Sequence, residues 1–170
     1  VVRLTFFVLK VTFLLELIGA LVMMPTFIHD FGAKGIWMSF FHSISAFCNA
    51  GFDVMGTEGA KFASIISYLG NSVINVTIML LIVIGGIGFL TWEDVCTNKL
   101  HFKRYRMQSK VILVTSALLI LLPAVFFFFV DFADMPMKER VLGSLFQAVT
   151  PRTAGFNTAD LTAMTGVGQA

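Results

Sequence analysis

The stretch Asn49-Ala50-Gly51-Phe52-Asp53 recurs as Thr153-Ala154-Gly155-Phe156-Asn157, with the two glycines 104 positions apart. Each copy closes a short apolar segment, Phe41-His42-Ser43-Ile44-Ser45 before the first and Phe146-Gln147-Ala148-Val149-Thr150 before the second. Phe41 and Phe146 are 105 positions apart, so the copies differ by one residue between the segment and its glycine. A repeat this long exceeds any solenoid unit and fits a duplicated membrane module. Two apolar stretches long enough to cross a bilayer lie between the copies.

Composition agrees. Hydrophobic residues make up 57% of the 170 residues and charged residues 13%, against roughly half and a quarter in soluble domains. With 19 Phe, too few polar side chains remain to cover a water-soluble surface. A net charge of +2 gives no reason to expect a nucleic-acid partner. The chain begins at Val1 without a charged leader or cleavage signal and reads as a piece of a longer protein. Cys48 and Cys96 form no disulfide framework and read as free thiols on opposite sides of the membrane.

Three spans are expected: residues 4–24, closed by Pro25; residues 68–91; and residues 111–130, kinked at Pro123. Each holds about 20 residues, enough for the ~30 Å hydrocarbon layer. Residues 36–47 and 138–149 are apolar but reach only half that distance, the second opened by Asp134 and Pro136. Such segments enter the bilayer and return, and irregular backbone at that depth needs protein or a water-filled cavity around it. The expected fold is an all-α membrane protein of repeated span–pore helix–span modules with re-entrant pore loops. This is the plan of the pore module of cation channels. Residues 1–92 make one complete module and residues 111–170 begin the next.

Between them, residues 93–110 form a linker carrying Lys99, Lys103, Arg104, Arg106 and Lys110 against Glu93 and Asp94. The connection after the first span has Lys34 and Lys61 against Asp30, Asp53 and Glu58. By the positive-inside rule the linker is cytoplasmic and both half-length segments enter from outside. Trp92 and Trp37 then fall at opposite interfaces, as an aromatic belt would place them.

A K⁺ filter replaces the hydration shell of the ion with backbone carbonyls from several equivalent loops. Aiming successive carbonyls at one axis needs backbone angles that glycine adopts freely. Residues 48–52 and 152–156 are the candidate filter turns, with carbonyls from Asn49, Ala50, Gly51, Thr153, Ala154 and Gly155. Phe52 and Phe156 would anchor them, and Asp53 would concentrate cations outside. Arg152, beside a helix C-terminus, reads first as a structural brace and second as a tuner of pore electrostatics.

Ser45-Ala46-Phe47-Cys48-Asn49-Ala50-Gly51-Phe52 resembles the second pore loop of Trk/Ktr-type potassium transporters. The run from Phe146 to Asn157 resembles their third, and Gly85-Gly86-Ile87-Gly88-Phe89 is also similar to the family. The family pattern has Asn at position 48 and a hydroxyl residue at 151, where this chain has Cys and Pro. The resemblance favours the Ktr-like branch and covers essentially the whole chain. It implies four modules around one pore, of which this chain holds the second and the first two-thirds of the third. Asn157 belongs to the matching loop and is carried over as a filter-supporting residue. The resemblance further implies a multi-pass plasma-membrane protein carrying K⁺, with Na⁺ as a permeant or coupling ion. It implies a homodimer with a cytosolic nucleotide-binding regulatory subunit. A non-conducting membrane scaffold with docking loops is the alternative.

Glu16 in the first span is either functional or a structural hydrogen-bonding group. Asn71 and Asn75 share a helix face and are expected to bond across helices. Gly85, Gly86 and Gly88 allow close packing or a bend, and packing is the favoured reading. His29, His42 and His101 show no metal-ligand spacing, and there is no nucleophile–base pair to support an enzyme.

Overall fold

The computed structural model describes residues 2–56, 64–99, 101–152 and 154–158. The described chain is all-helical: α1 (Val2–Phe31), α2 (Lys34–Phe47), α3 (Ser72–Gly86), α4 (Phe89–Asn98), α5 (Met107–Phe129) and α6 (Met137–Val149). Single 3₁₀ turns at Ile66–Tyr68 and Phe102–Arg104 lead into α3 and α5. α1 and α5 are long and apolar enough to cross a membrane, and the bent pair α3 and α4 can make a third span.

α1 does not end at Pro25. It carries the proline inside and continues to Phe31, because a missing N–H removes only one bond from a long ladder. The stop is Gly32, whose φ of +60° gives the left-handed turn common after a helix and whose N–H donates to Ile28 O at 2.8 Å. α2 then folds back along α1. A Cβ at Gly35 would strike the Phe27 carbonyl, and one at Gly19 would meet Ser43 Oγ at 2.5 Å and Leu81 Cδ1 at 2.7 Å. Those two glycines let α1, α2 and α3 cross closely.

The expected span over 68–91 is interrupted. Asn71 caps α3, its side chain accepting from Val73 N at 3.0 Å and Ile74 N at 3.2 Å. α3 stops at Gly86, and α4 leaves at 100° to it. The break is at Gly88, with φ 86° and ψ 149°, a conformation essentially restricted to glycine. Nothing lies within 4 Å of a Cβ built there, so Gly88 is a bend and not the packing glycine expected from sequence. Gly85 has the packing role, since its Cβ would collide with the Phe47 carbonyl at the end of α2. Trp92 is 4% exposed: its Nε1 donates to Ile84 O at 2.7 Å across the bend, and its ring packs on Phe47.

Three contacts order the depths of α1 against α3 and α4. Tyr68 donates to Asp30 at 2.6 Å at one end, Gly19 meets Leu81 in the middle, and a cavity of ≈ 520 Å³ holds Arg3, Phe7, Glu93 and Cys96 at the other. Burial, and then the Asp30 carboxylate that accepts its bond, push the Tyr68 hydroxyl upward, so it stays a donor. α5 runs unbroken through Pro123, and Pro136 caps α6 as its start signal implied. Arg140 ties α6 to the end of α5, donating to Phe128 O at 2.7 Å with its guanidinium 4.0 Å from the Phe128 ring centroid. The core among these helices holds Phe27, Ile74, Ile78, Phe146 and Phe156, while Phe13, Leu122 and Phe129 face outward.

Candidate functional site

The two half-length helices end at the repeated phrase, and their turns are built alike. After α2, Ala50 N donates to Ser45 O at 2.9 Å, Asn49 takes φ 51°, and Gly51 takes φ 71°. After α6, Ala154 N donates to Thr150 O at 3.1 Å and Gly155 takes φ 74°. Each turn is then fastened to its helix by a hydroxyl. Ser45 Oγ donates to Phe52 O at 2.8 Å, and Thr150 Oγ1 donates to Phe156 O. The sequence reading passed over both hydroxyls. Their signal was available, since Ser45 stands in the last turn of α2 and Thr150 directly after α6, six and five residues before their glycines.

The turns also meet. A Cβ on Gly51 would collide with the Ala154 carbonyl and lie 3.1 Å from Gly155 Cα. From the other side, a Cβ on Gly155 would lie 3.6 Å from Gly51 Cα. Backbone faces backbone here, with no room for a side chain at Gly51. The structure thus brings together Asn49, Ala50, Gly51, Ala154 and Gly155. Thr153 lies outside the described residues.

The supporting residues divide. Phe156 is fully buried and its ring centroid is 6.2 Å from that of His42, whereas Phe52 is 69% exposed and anchors nothing in the described chain. Its turn presents the Phe52 ring outward beside Trp37 and Phe41, where it lines a groove of ≈ 220 Å³. Asn157 holds the second turn by its backbone: its N–H donates to Ser64 Oγ at 3.0 Å and its carbonyl accepts from Ile65 N at 3.2 Å.

Arg152 turns away from the glycines and donates from Nη2 to Ser116 Oγ on α5 at 2.8 Å, while its Nη1 is buried without a partner among the described residues. It braces the turn to the neighbouring long helix. Ser116 was invisible to sequence reasoning, because a lone serine in an apolar helix signals only packing.

Further buried polar side chains are bonded to backbone carbonyls. His42 Nδ1–H donates to Met38 O at 2.8 Å, and its ring stacks on Phe27 at 5.2 Å. Asn75 donates to Tyr68 O, Leu69 O and Asn71 O at 2.6, 3.1 and 2.8 Å. It therefore ties up the entrance to its own helix and does not bond across helices, as the sequence had suggested. Glu16 contributes its backbone carbonyl to Ser43 Oγ at 2.6 Å. Cys48 and Cys96 are both free and exposed. Among the described residues no cluster of His, Cys, Asp or Glu could hold a metal ion.

Apolar long helices, half-length helices with buried polar faces and two fastened backbone turns define an integral helical membrane protein. A family profile described as a cation transport protein, TrkH, matches residues 1–169. The chain is 34% identical over 174 residues to the potassium/sodium uptake protein NtpJ of Enterococcus hirae, covering 99% of this chain and 37% of that one. It is 34% identical over 166 residues to the Ktr system potassium uptake protein B of Bacillus subtilis, covering 91% and 36%. With the Vibrio alginolyticus Ktr system potassium uptake protein B it shares 31% over 165 residues, covering 91% and 35%. The chain belongs to the TrkH family of cation transport proteins, a family of plasma-membrane transporters and not of enzymes. It spans about a third of the length of these relatives.

Proposed function

We propose that this chain forms part of a cation pore that takes up K⁺, with Na⁺ as a second permeant or coupling ion. The observation that carries this reading is the pair of left-handed glycines, Gly51 and Gly155, meeting backbone to backbone at the ends of two half-length helices. The carbonyls of Asn49, Ala50, Gly51, Thr153, Ala154 and Gly155 would replace ion hydration. The C-terminal ends of α2 and α6 add the negative ends of two helix dipoles beside them. Arg152, directed at Ser116, keeps its charge off the ion path. The names of the relatives, potassium and potassium/sodium uptake proteins, point to the same cargo.

In this reading residues 1–92 are the second of four modules, residues 93–110 a cytoplasmic linker, and residues 111–170 the start of the third. The groove beside Phe52 is where a neighbouring module's loop would pack. The whole protein works as a homodimer with a cytosolic nucleotide-binding regulatory subunit.

The test is cation flux through the full-length protein in liposomes. Wild type passes K⁺ selectively, and Gly155→Ser reduces K⁺/Na⁺ discrimination while insertion stays normal. Unchanged affinity and selectivity in Gly155→Ser, or no flux in wild type with its regulatory subunit present, would leave the turns as docking elements only.

A further inference from the structure

The bend at Gly88 has a second consequence. α3 has 15 residues, about 22 Å of helix, so it ends short of the far side of the ~30 Å hydrocarbon layer. α4 leaves α3 at 100°, so where α3 runs across the bilayer α4 is turned away from that direction. Between the bend and the start of α5 lies an open groove of ≈ 190 Å³, lined by Ile87, Phe89, Leu90, Gln108 and Ile112 among others. Phe89 and Leu90 are 45% and 44% exposed, so the groove mouth continues into apolar surface.

The basic linker that leads from α4 into α5, where the groove's Gln108 and Ile112 stand, is ordered by its own hydrogen bonds. Asp94 of α4, buried, accepts from Arg106 N and from Asn98 Nδ2, both at 2.7 Å. Tyr105 donates to Lys99 O, and Lys110 Nζ donates to Lys103 O at 2.9 Å. Both acidic residues of the region are therefore engaged, Asp94 internally and Glu93 with Arg106 at 3.2 Å. Lys99, Lys103 and Arg104 are exposed, and among the described residues none of them has a carboxylate within ion-pair distance. An apolar slot that includes Gln108 and Ile112 at the start of α5 thus follows within a few residues of the uncompensated cations Lys103 and Arg104.

We propose that the groove and the turn beside it form a site for one anionic phospholipid, its acyl chain along Ile87, Leu90 and Ile112 and its phosphate on Lys103 and Arg104. The charge is complementary, and the slot continues into the exposed apolar side chains of Phe89 and Leu90. The site requires only that the chain is a membrane protein, so it stands or falls separately from ion conduction.

The experiment is lipid titration of the purified full-length protein by native mass spectrometry, with phosphatidylglycerol and phosphatidylcholine as probes. Wild type should bind phosphatidylglycerol at least tenfold more tightly. Each basic residue near an anionic surface contributes about fivefold, so the double variant K103Q/R104Q should lose roughly 25-fold for phosphatidylglycerol and little for phosphatidylcholine. The charge-conserving K103R/R104K should keep the preference, and Ile112→Trp, which fills the slot, should weaken both lipids. Equal affinities in wild type would overturn the proposal. So would K103Q/R104Q that keeps its lipid preference but loses its cytosolic protein partner, which would assign this face to that partner.

Discussion

Gly51 and Gly155 occupy equivalent places but have unequal surroundings, so alanine should affect them unequally. Both have left-handed φ, 71° and 74°, and an alanine there costs about 1–2 kcal/mol, partly offset by about 0.4–1 kcal/mol from the stiffer unfolded chain. At Gly155 the new methyl would find Gly51 Cα at 3.6 Å, an ordinary contact. The net penalty there is roughly 0.5–1.5 kcal/mol, a two- to tenfold loss of correctly formed turn. At Gly51 the methyl would overlap the Ala154 carbonyl, and both partners are backbone that cannot rotate aside. Overpacking adds about 1–3 kcal/mol, and relief requires moving the carbonyl proposed to face the ion. Gly51→Ala should therefore raise the K⁺ concentration for half-maximal uptake tenfold or more and reduce K⁺/Na⁺ preference. Gly155→Ala should change them a few-fold. The assay is Rb⁺ uptake by cells lacking their own K⁺ uptake, with K⁺ and Na⁺ competition and expression measured in parallel. Equal effects, or a larger effect at Gly155, would refute the assignment of the crowded side.

The Arg152–Ser116 brace should appear as non-additivity: Ser116→Ala removes a hydrogen bond to a charged group, worth about 1.5–3 kcal/mol, and should add almost nothing once Arg152→Gln is present, measured by thermal unfolding of the full-length protein in detergent. Gly88→Ala and Gly88→Asn should be equally harmful, because φ 86° with ψ 149° is closed to both; spin-label distances between α3 and α4 should lengthen or broaden, and unchanged distances would show the bend does not depend on glycine. Finally, in a cysteine-free full-length background, impermeant reagent on intact cells should label Asp134→Cys and spare Arg104→Cys; the reverse pattern would invert the proposed orientation.

The features legible in the sequence were those carried by length and by repetition. Residues 36–47 and 138–149 emerged as α2 and α6 within two residues, because a segment of half a bilayer is a strong signal whatever surrounds it. The left-handed glycines were legible through the repeated phrase. Pro25 misled because a proline stops a helix only when nothing else holds the ladder, and the true stop, Gly32, was an unremarked glycine in a short turn. Gly88 misled because packing and bending glycines look alike in sequence. Only the carbonyl of Phe47 against Gly85, and empty space at Gly88, separate them. Asn75 and Ser116 illustrate the same limit: a polar residue in an apolar helix announces a partner, but its identity depends on tertiary contacts that no local pattern encodes.

The spacing between fastening hydroxyl and glycine, six residues after α2 and five after α6, bears on how such a protein can change over generations. In a pore assembled from identical copies, one altered codon alters every wall at once, and most such steps are too large to survive. Here the two turns are written separately and already differ in length, yet both reach the same hydroxyl closure and the same left-handed glycine. One turn can drift while the other holds its form, so each can be adjusted without disturbing its counterpart.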